Sequence, residues 1–439
     1  MIRFENVNLD YTGFQMIIPG IKNANMVFGS SGLINIYEEG YLKRNALTDL
    51  IAAVRKPDSG EVYVQGIKLS DLDEAKAADY RSRYVTALFR NFQFLEDKTI
   101  AENISFYYEI RGVPRHTAVE ETNALLQKLH FEEKAQSSPA ELNEYERPLL
   151  FIAVAFAINR PITVMDGIDY KYNQNAINAL VEFSKNHLVI VKSLKDSGIK
   201  EVCDRFIIII DGIITSDTGG TNYSVSDAEV AIMGKKMKLS ARTYRSGSMS
   251  FIKQLPMYFS PLFLFAFFSA FLSLWINAVF YTPTNHDSLV VGFLELLQAN
   301  RISNFVFALI AGVFLFYNIF RLTLNQLNQD ASLITTLRLA GANPNNIVKI
   351  YLIRLIGPAV VFMGFAFIFS FFLPIFNFSW IVSDMGMTVS GTFMAQWLSA
   401  FIAALFSFFI VVAFLVFVLK KFLGEKLSKF MVNLNKKKK

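Results

Sequence analysis

The stretch that decides the reading runs Leu33-Ile-Asn-Ile-Tyr37-Glu38-Glu39-Gly40-Tyr41-Leu42-Lys43-Arg44-Asn45-Ala46-Leu47-Thr-Asp49-Leu-Ile-Ala-Ala-Val-Arg55-Lys-Pro57-Asp58-Ser59-Gly60. A short β-type apolar run, a loop, an amphipathic helix and a Pro-Asp-Ser-Gly turn follow one another in the order of a phosphate-binding loop feeding a helix. Wrapping phosphate oxygens calls for several glycines, a lysine for the terminal phosphates and a Ser or Thr for magnesium. Here Glu38 and Glu39 stand where a polyanion would lie, and Tyr41 and Leu42 are too bulky for close backbone approach. The stretch reads as a scaffold kept and an active centre lost.

Around it, residues 1–220 read as an α/β domain. The apolar runs Ile34–Ile36, Ile162–Met165 and Leu188–Val191 alternate with helical stretches, as a mostly parallel sheet requires. In the helix after Asn173, Ile177, Leu180 and Val181 share a face. Asp211-Gly212 between Phe206–Ile210 and Ile213-Ile214 is a hairpin signal, and Ser59-Gly60 opens another strand.

Composition points to a second domain of another kind. The chain has 439 residues, 43 of them Phe, and a mean hydropathy of +0.34, which together imply membrane spans. One cysteine, Cys203, excludes an internal disulfide and a thiolate cluster. The four His show no His-x-x-x-His spacing, so no metal site is expected. The net charge of +6 is assigned to membrane lipid rather than nucleic acid, because the lysines gather near apolar segments and at the C-terminus. No signal-peptide core opens the sequence, which predicts a cytoplasmic N-terminal half.

Residues 221–255 read as a basic juxtamembrane linker carrying Lys235, Lys236, Lys238, Arg242, Arg245 and Lys253. Residues 256–439 contain four apolar stretches, roughly 257–281, 302–322, 355–375 and 396–419, each long enough to cross the hydrocarbon. The connections 282–300 and 378–395 hold no Lys or Arg, whereas the connection between spans two and three holds Arg338, Lys349 and Arg354, and the tail is lysine-rich. The positive-inside rule then puts both termini in the cytoplasm of a multi-pass protein of the bacterial inner membrane. In the inner connection, Leu333, Leu337 and Ala340 share a helical stripe, Gly341 ends it and Asn343-Pro344 opens the next helix. Asn277 and Asn318 are read as hydrogen-bonding between helices.

Asp10-Tyr11, Pro57-Asp-Ser-Gly60, Leu95 through Thr99-Ile-Ala-Glu-Asn103, Glu141-Leu142 and Asp204-Arg205 through Asp211-Gly212 occur in the order and spacing of the ABC transporter nucleotide-binding domain. Nearly all of residues 1–215 resembles that domain, most closely in the lipoprotein- and macrolide-exporter branch. The stretch Leu337-Arg338-Leu-Ala-Gly341-Ala342 resembles the inner connection of four-span FtsX/MacB-type permeases. The resemblance implies a degenerate P-loop-NTPase-like α/β domain followed by an all-α, four-helix transmembrane domain.

Carried over position by position, the resemblance puts Arg44 at the phosphate-loop lysine, Asn45 at its Ser, and Arg90 at the magnesium-sensing Gln, with Gln93 the alternative if the alignment slips. Leu142-Asn-Glu-Tyr-Glu146 replaces the signature turn without its glycines, Asp166 matches the magnesium-associated Asp, Gly167 stands for the catalytic Glu, and the switch His falls near Leu194. The expectation is no catalytic residue and no ATPase on this chain, with Tyr11, Arg44 and Asp166 as vestiges of a nucleotide site and ATP-Mg bound by a partner. Tyr11 is read either as stacking on adenine or as packed at a strand end. Arg44 is read as pairing locally with Glu38 and Glu39 rather than binding phosphate. Arg90, Arg338, Gly341 and Ala342 are expected to couple the domain to its membrane partner.

The implied role is a non-catalytic scaffold for a complete ABC ATPase or a second permease subunit, in export of a peptide, lipid or lipoprotein. The alternative is a signalling subunit that passes conformational change across the membrane without cargo. The first outer connection is too short for the folded domain common in this branch.

Overall fold

The computed structural model describes residues 2–13, 16–39, 46–89, 92, 94–95, 98–166, 173–193, 198–219, 259–280, 301–349, 351–352, 361–370 and 392–424. The chain divides into two compact units. One is built from the N-terminal half together with Asp330–Ile347, and the other from the remaining apolar helices.

The N-terminal unit has two sheets. The smaller, antiparallel one has the order β2-β1-β4-β5, from β1 (Ile2–Gly13), β2 (Met16–Phe28), β4 (Ser59–Val64) and β5 (Ile67–Lys68). The larger has the order β10-β9-β3-β8-β7-β6, from β3 (Gly32–Glu39), β6 (Val85–Leu88), β7 (Ile162–Asp166), β8 (Leu188–Lys192), β9 (Arg205–Ile210) and β10 (Ile213–Asp217). Its strands pair in parallel except for the β9–β10 hairpin. That hairpin turns at Asp211 (φ 48°) and Gly212 (φ 80°), the left-handed pair that an Asp-Gly turn supplies. β7 and β8 are buried at every residue, as expected of central parallel strands.

Helices α1 (Ala46–Ile51), α2 (Glu74–Tyr84), α3 (Ile100–Arg111), α4 (Arg115–Lys128), α5 (Arg147–Ile158) and α6 (Gln174–Ser184) complete this unit. Their starts follow local chemistry. Thr99 and Glu102 form a reciprocal capping box on α3, and the Asn173 side chain accepts from the Ala176 amide to start α6. In α6, Ile177 and Leu180 are buried, while Val181 is only half-buried. One core joins the two sheets, α1 and α2 through Phe4, Phe28, Ile36, Leu50 and Tyr80, and it includes Leu339 from far along the chain.

The second unit is helical, with Phe259–Phe280, Arg301–Gln329, Val361–Ser370 and Thr392–Leu423. Among the described residues, two helices are long and apolar enough to cross a membrane, Ile302–Gln329 and Trp397–Leu423; Ser260–Ile276 and Val361–Ser370 are shorter apolar segments. Phe265, Leu315, Ile319, Ala366 and Leu415 pack together. Ser370 donates to Ser269 at 3.0 Å, and Ser273 lies 3.1 Å from Ser399, so buried hydroxyls tie three of these helices. Asn318 does bond across helices, accepting from Ser260 at 3.3 Å. The Asn277 side chain and the linker 221–255 lie outside the described residues.

Candidate functional site

Parallel register brings three strand ends together. Ile36 on β3 faces Lys192 on β8, and Lys192 faces Asp166 on β7. Side chains alternate along a strand, so Glu38, two residues beyond Ile36, shares their face. The Lys192 Nζ sits 2.5 Å from the Glu38 Oε2, with the two side chains 10% and 11% exposed. Burial pushes the Glu38 carboxyl up, Lys192 opposes that shift, and the Asp166 charge adds to it. The carboxyl edge of a parallel sheet is where α/β folds bind ligands.

On α1, the Asp49 carboxyl accepts from the Tyr11 hydroxyl at 3.0 Å and lies 3.9 Å from the Arg55 guanidinium. Burial pushes Asp49 up to about 6, while the Tyr11 hydrogen bond and Arg55 hold it down. The Tyr11 phenol is raised too, by burial first and then by the charge on Asp49. A cavity of about 10 Å³ between Gly20, Glu38, Thr48 and Lys192 leaves room for no more than a single water.

The positions singled out in the sequence fare differently. Tyr11 is buried, with the Arg55 guanidinium 4.4 Å from its ring centroid and Gly20 packed so close that a Cβ there would come 2.5 Å from its ring. A ring held in this way packs at the strand end rather than stacking on a base. Asp166 is buried at the end of β7. Arg44, Arg90, Gln93, Gly167 and Leu194 lie outside the described residues. Glu38 pairs with Lys192, and the pairing expected of Arg44 lies outside the described residues.

In the turn before α5, the Asn143 Oδ1 accepts from the amides of Tyr145 and Glu146 at 2.9 Å each. The Glu146 carboxylate returns to the Asn143 amide at 3.1 Å and pairs with Lys134 at 2.9 Å, which holds it below the usual carboxylate range. Glu146 is therefore neutralised locally rather than left as an exposed repulsive charge.

Arg338, Gly341 and Ala342 come to the N-terminal unit. The helix Ala331–Leu339 is buried on more than the one expected stripe: Ile334, Leu337, Arg338 and Leu339 are all within 1% of full burial, whereas Leu333 is half-buried. The Arg81 Nε donates to the Arg338 carbonyl at 3.0 Å, and both guanidinium groups reach the Glu74 Oε1, at 3.2 Å from Arg81 and 3.0 Å from Arg338. Burial pulls Arg81 down to about 10, with Glu74 opposing and Arg338 adding, so it stays charged at neutral pH. Gly341 has φ +96°, and a Cβ there would meet the Ser82 amide nitrogen at 2.3 Å. Only glycine fits that approach. Ala342 is buried beside it.

Sequence reasoning missed Glu74, Arg81 and Lys192. The lysine closing the all-buried run Leu188–Lys192 was the available signal, because a buried strand that ends on a cation needs an anion nearby. The polar helix Glu74–Tyr84 gave none.

No protein-family model matches this sequence. The N-terminal half is similar to the macrolide export ATP-binding/permease protein MacB of Haemophilus ducreyi, 24% identical over 229 residues, covering 51% of this chain and 33% of that one. It is also similar to the methionine import ATP-binding protein MetN 3 of Oceanobacillus iheyensis, 23% identical over 218 residues, covering 48% and 64%. The match spans about a third of the MacB relative and under two thirds of this MetN one. Among solved structures, a dimeric bacterial ABC transporter cassette is 23% identical with a TM-score of 0.45, covering 51% of this chain and all of that one.

These relatives correct the expectation that the chain carries no ATPase. They are named as ATP-binding proteins, so the likeness is to ATP-binding domains. The expectation rested on motif positions read one by one, which register a missing group but not the likeness of the whole domain to ATP-binding proteins. The N-terminal half of this chain has the fold of an ABC transporter nucleotide-binding domain, joined in the same chain to membrane-capable helices.

Proposed function

We propose that this chain is a membrane subunit of an ABC transport complex of the FtsX/MacB type, in which the N-terminal unit binds ATP with magnesium and drives the apolar helices through residues 330–347. A second cassette, from another copy or a separate ATPase subunit, completes the complex. Four spans lie in a bacterial inner membrane with both termini cytoplasmic, and the cargo class is peptide, lipid or lipoprotein. Of the residues at the sheet edge, Asp166 suits magnesium, and Lys192 is engaged by Glu38.

One observation carries this reading. Residues 330–347 follow Arg301–Gln329 in the chain yet belong to the N-terminal unit, with Leu339 in its core and Arg338 fastened to α2. A segment held so firmly at one end and continuous with an apolar helix at the other passes displacement rather than absorbing it. Hydrogen exchange of the full chain in lipid nanodiscs tests this. ATP-Mg should change protection both in 331–339 and in 301–329, and nucleotide binding that left both segments unchanged would refute the coupling.

A further inference from the structure

We propose that the cavity enclosed by α3, α4, α5 and the turn from α6 into β8 binds a small zwitterion with a planar ring, of the class of an aromatic amino acid. The site stands at the amino end of β8, whereas the sheet edge that holds Lys192 and Asp166 lies at the opposite end of the strands. It does not depend on the nucleotide reading above.

The cavity measures about 430 Å³, which falls within the roughly 300–1,000 Å³ of small-ligand sites. One wall is a series of rings. Phe156 and Phe183 have centroids 4.5 Å apart, and His187 stacks on Phe183 at 4.0 Å with the planes 13° apart. The His187 Nδ1 lies 3.0 Å from the Phe183 carbonyl, which can only accept, so that nitrogen carries the proton and the ring is held in place. Burial lowers the His187 pKa, so at pH 7 the imidazole is neutral and adds ring surface rather than charge. Half-buried Phe156 and His187 both line the cavity, where a further flat ring can stack.

The remaining walls carry charges of both signs. Arg111 on α3 pairs with Glu121 on α4 at 3.1 Å, Lys128 on α4 pairs with Glu182 on α6 at 2.7 Å, and exposed Lys185 adds a third cation. A simple anion entering here competes with two glutamates, and a simple cation meets three basic groups. A molecule that carries both charges offers each wall its complement. Glu182 takes the ligand ammonium, Lys185 and Arg111 take its carboxylate, and Phe156 and His187 take its ring. The two ion pairs are solvent-exposed enough to open for this exchange, with side chains 21% and 40% exposed in the first and 45% and 54% in the second.

Titration calorimetry of the full chain in lipid nanodiscs tests the assignment with L-phenylalanine, L-tyrosine and L-tryptophan. At least one should bind at millimolar concentration or below. For the tightest of the three, L-alanine (no ring) and the matching deaminated acid (no ammonium) should each bind about tenfold or more weakly. Glu182→Gln should weaken the amino acid about tenfold while leaving the deaminated acid unchanged, because only the amino acid presents an ammonium. Melting curves control for folding; should Glu182→Gln not fold, Lys185→Met decides at an exposed position, and it should weaken both ligands alike. Failure of all three amino acids to bind overturns the proposal. So does equal affinity for either analogue, or amino-acid binding that Glu182→Gln or Lys185→Met leaves undiminished. ATP-Mg titrated into the same samples reports on the nucleotide reading separately.

Discussion

Lys192 and Arg338 are both buried cations held by a glutamate, one 2.5 Å from Glu38 and the other 3.0 Å from Glu74. The first pair joins adjacent parallel strands, so its geometry follows from sheet register. The second joins α2 to a helix 264 residues further along and depends on that helix docking as a body. The difference separates two uses of one interaction. At the sheet edge the cation lies beside a second carboxylate, Asp166. On α2 two guanidinium groups share one carboxylate, so Glu74 holds both while they repel each other.

The comparison breaks most sharply at Gly341. Gly341→Val would put a branched side chain into the Ser82 backbone at a left-handed φ, costing about 3 kcal/mol or more. Exchange protection of 331–339 should be lost while β7 and β8 keep theirs. If the strands lost protection equally, the docked segment would be part of the folding core rather than an attachment to it.

Glu74→Gln removes the carboxylate shared by Arg81 and Arg338. Because the Glu74 side chain is 28% exposed, the loss should be about 2–3 kcal/mol, below that of a fully buried pair. A melting curve of the full chain checks this, and a double variant with Arg338→Met should recover part of the loss.

The sheet edge offers a pH test. The folded protein holds the Asp49 proton up to about 6, against an ordinary 3.8. The stability that this proton contributes is complete below the ordinary carboxylate range and is lost as pH rises through about 6. Asp49→Asn does not undergo that loss, so it should be more stable than the unaltered chain at pH 7 by about 2 kcal/mol and indistinguishable at pH 4. Denaturant titrations at the two pH values measure the difference. The smallest effect belongs to Tyr11→Phe, which deletes one hydrogen bond to Asp49 and should cost about 1 kcal/mol without weakening ATP-Mg binding. Weakened binding would return Tyr11 to the nucleotide.

Much of the N-terminal fold was legible in local pattern. The runs at Ile34, Ile162 and Leu188 became central strands, Asp211-Gly212 became the hairpin turn, and Asn173 became a helix cap. Each depends on hydrophobic period or turn chemistry within a few residues. The inner connection was half legible. Gly341 was identified as a helix end, but its contact with Ser82 was not, because nothing in Leu333–Ala342 names the surface it meets.

The amino-acid sequence by itself determined which segments are strands, which are apolar helices and where the chain turns, since those follow from neighbours along the backbone. Only the tertiary structure decided that Lys192 answers Glu38, that Tyr11 is enclosed by Arg55 and Gly20, and that Arg338 belongs to α2. The reason is physical: a charge buried beside its partner has a low energy wherever in the chain the partner comes from.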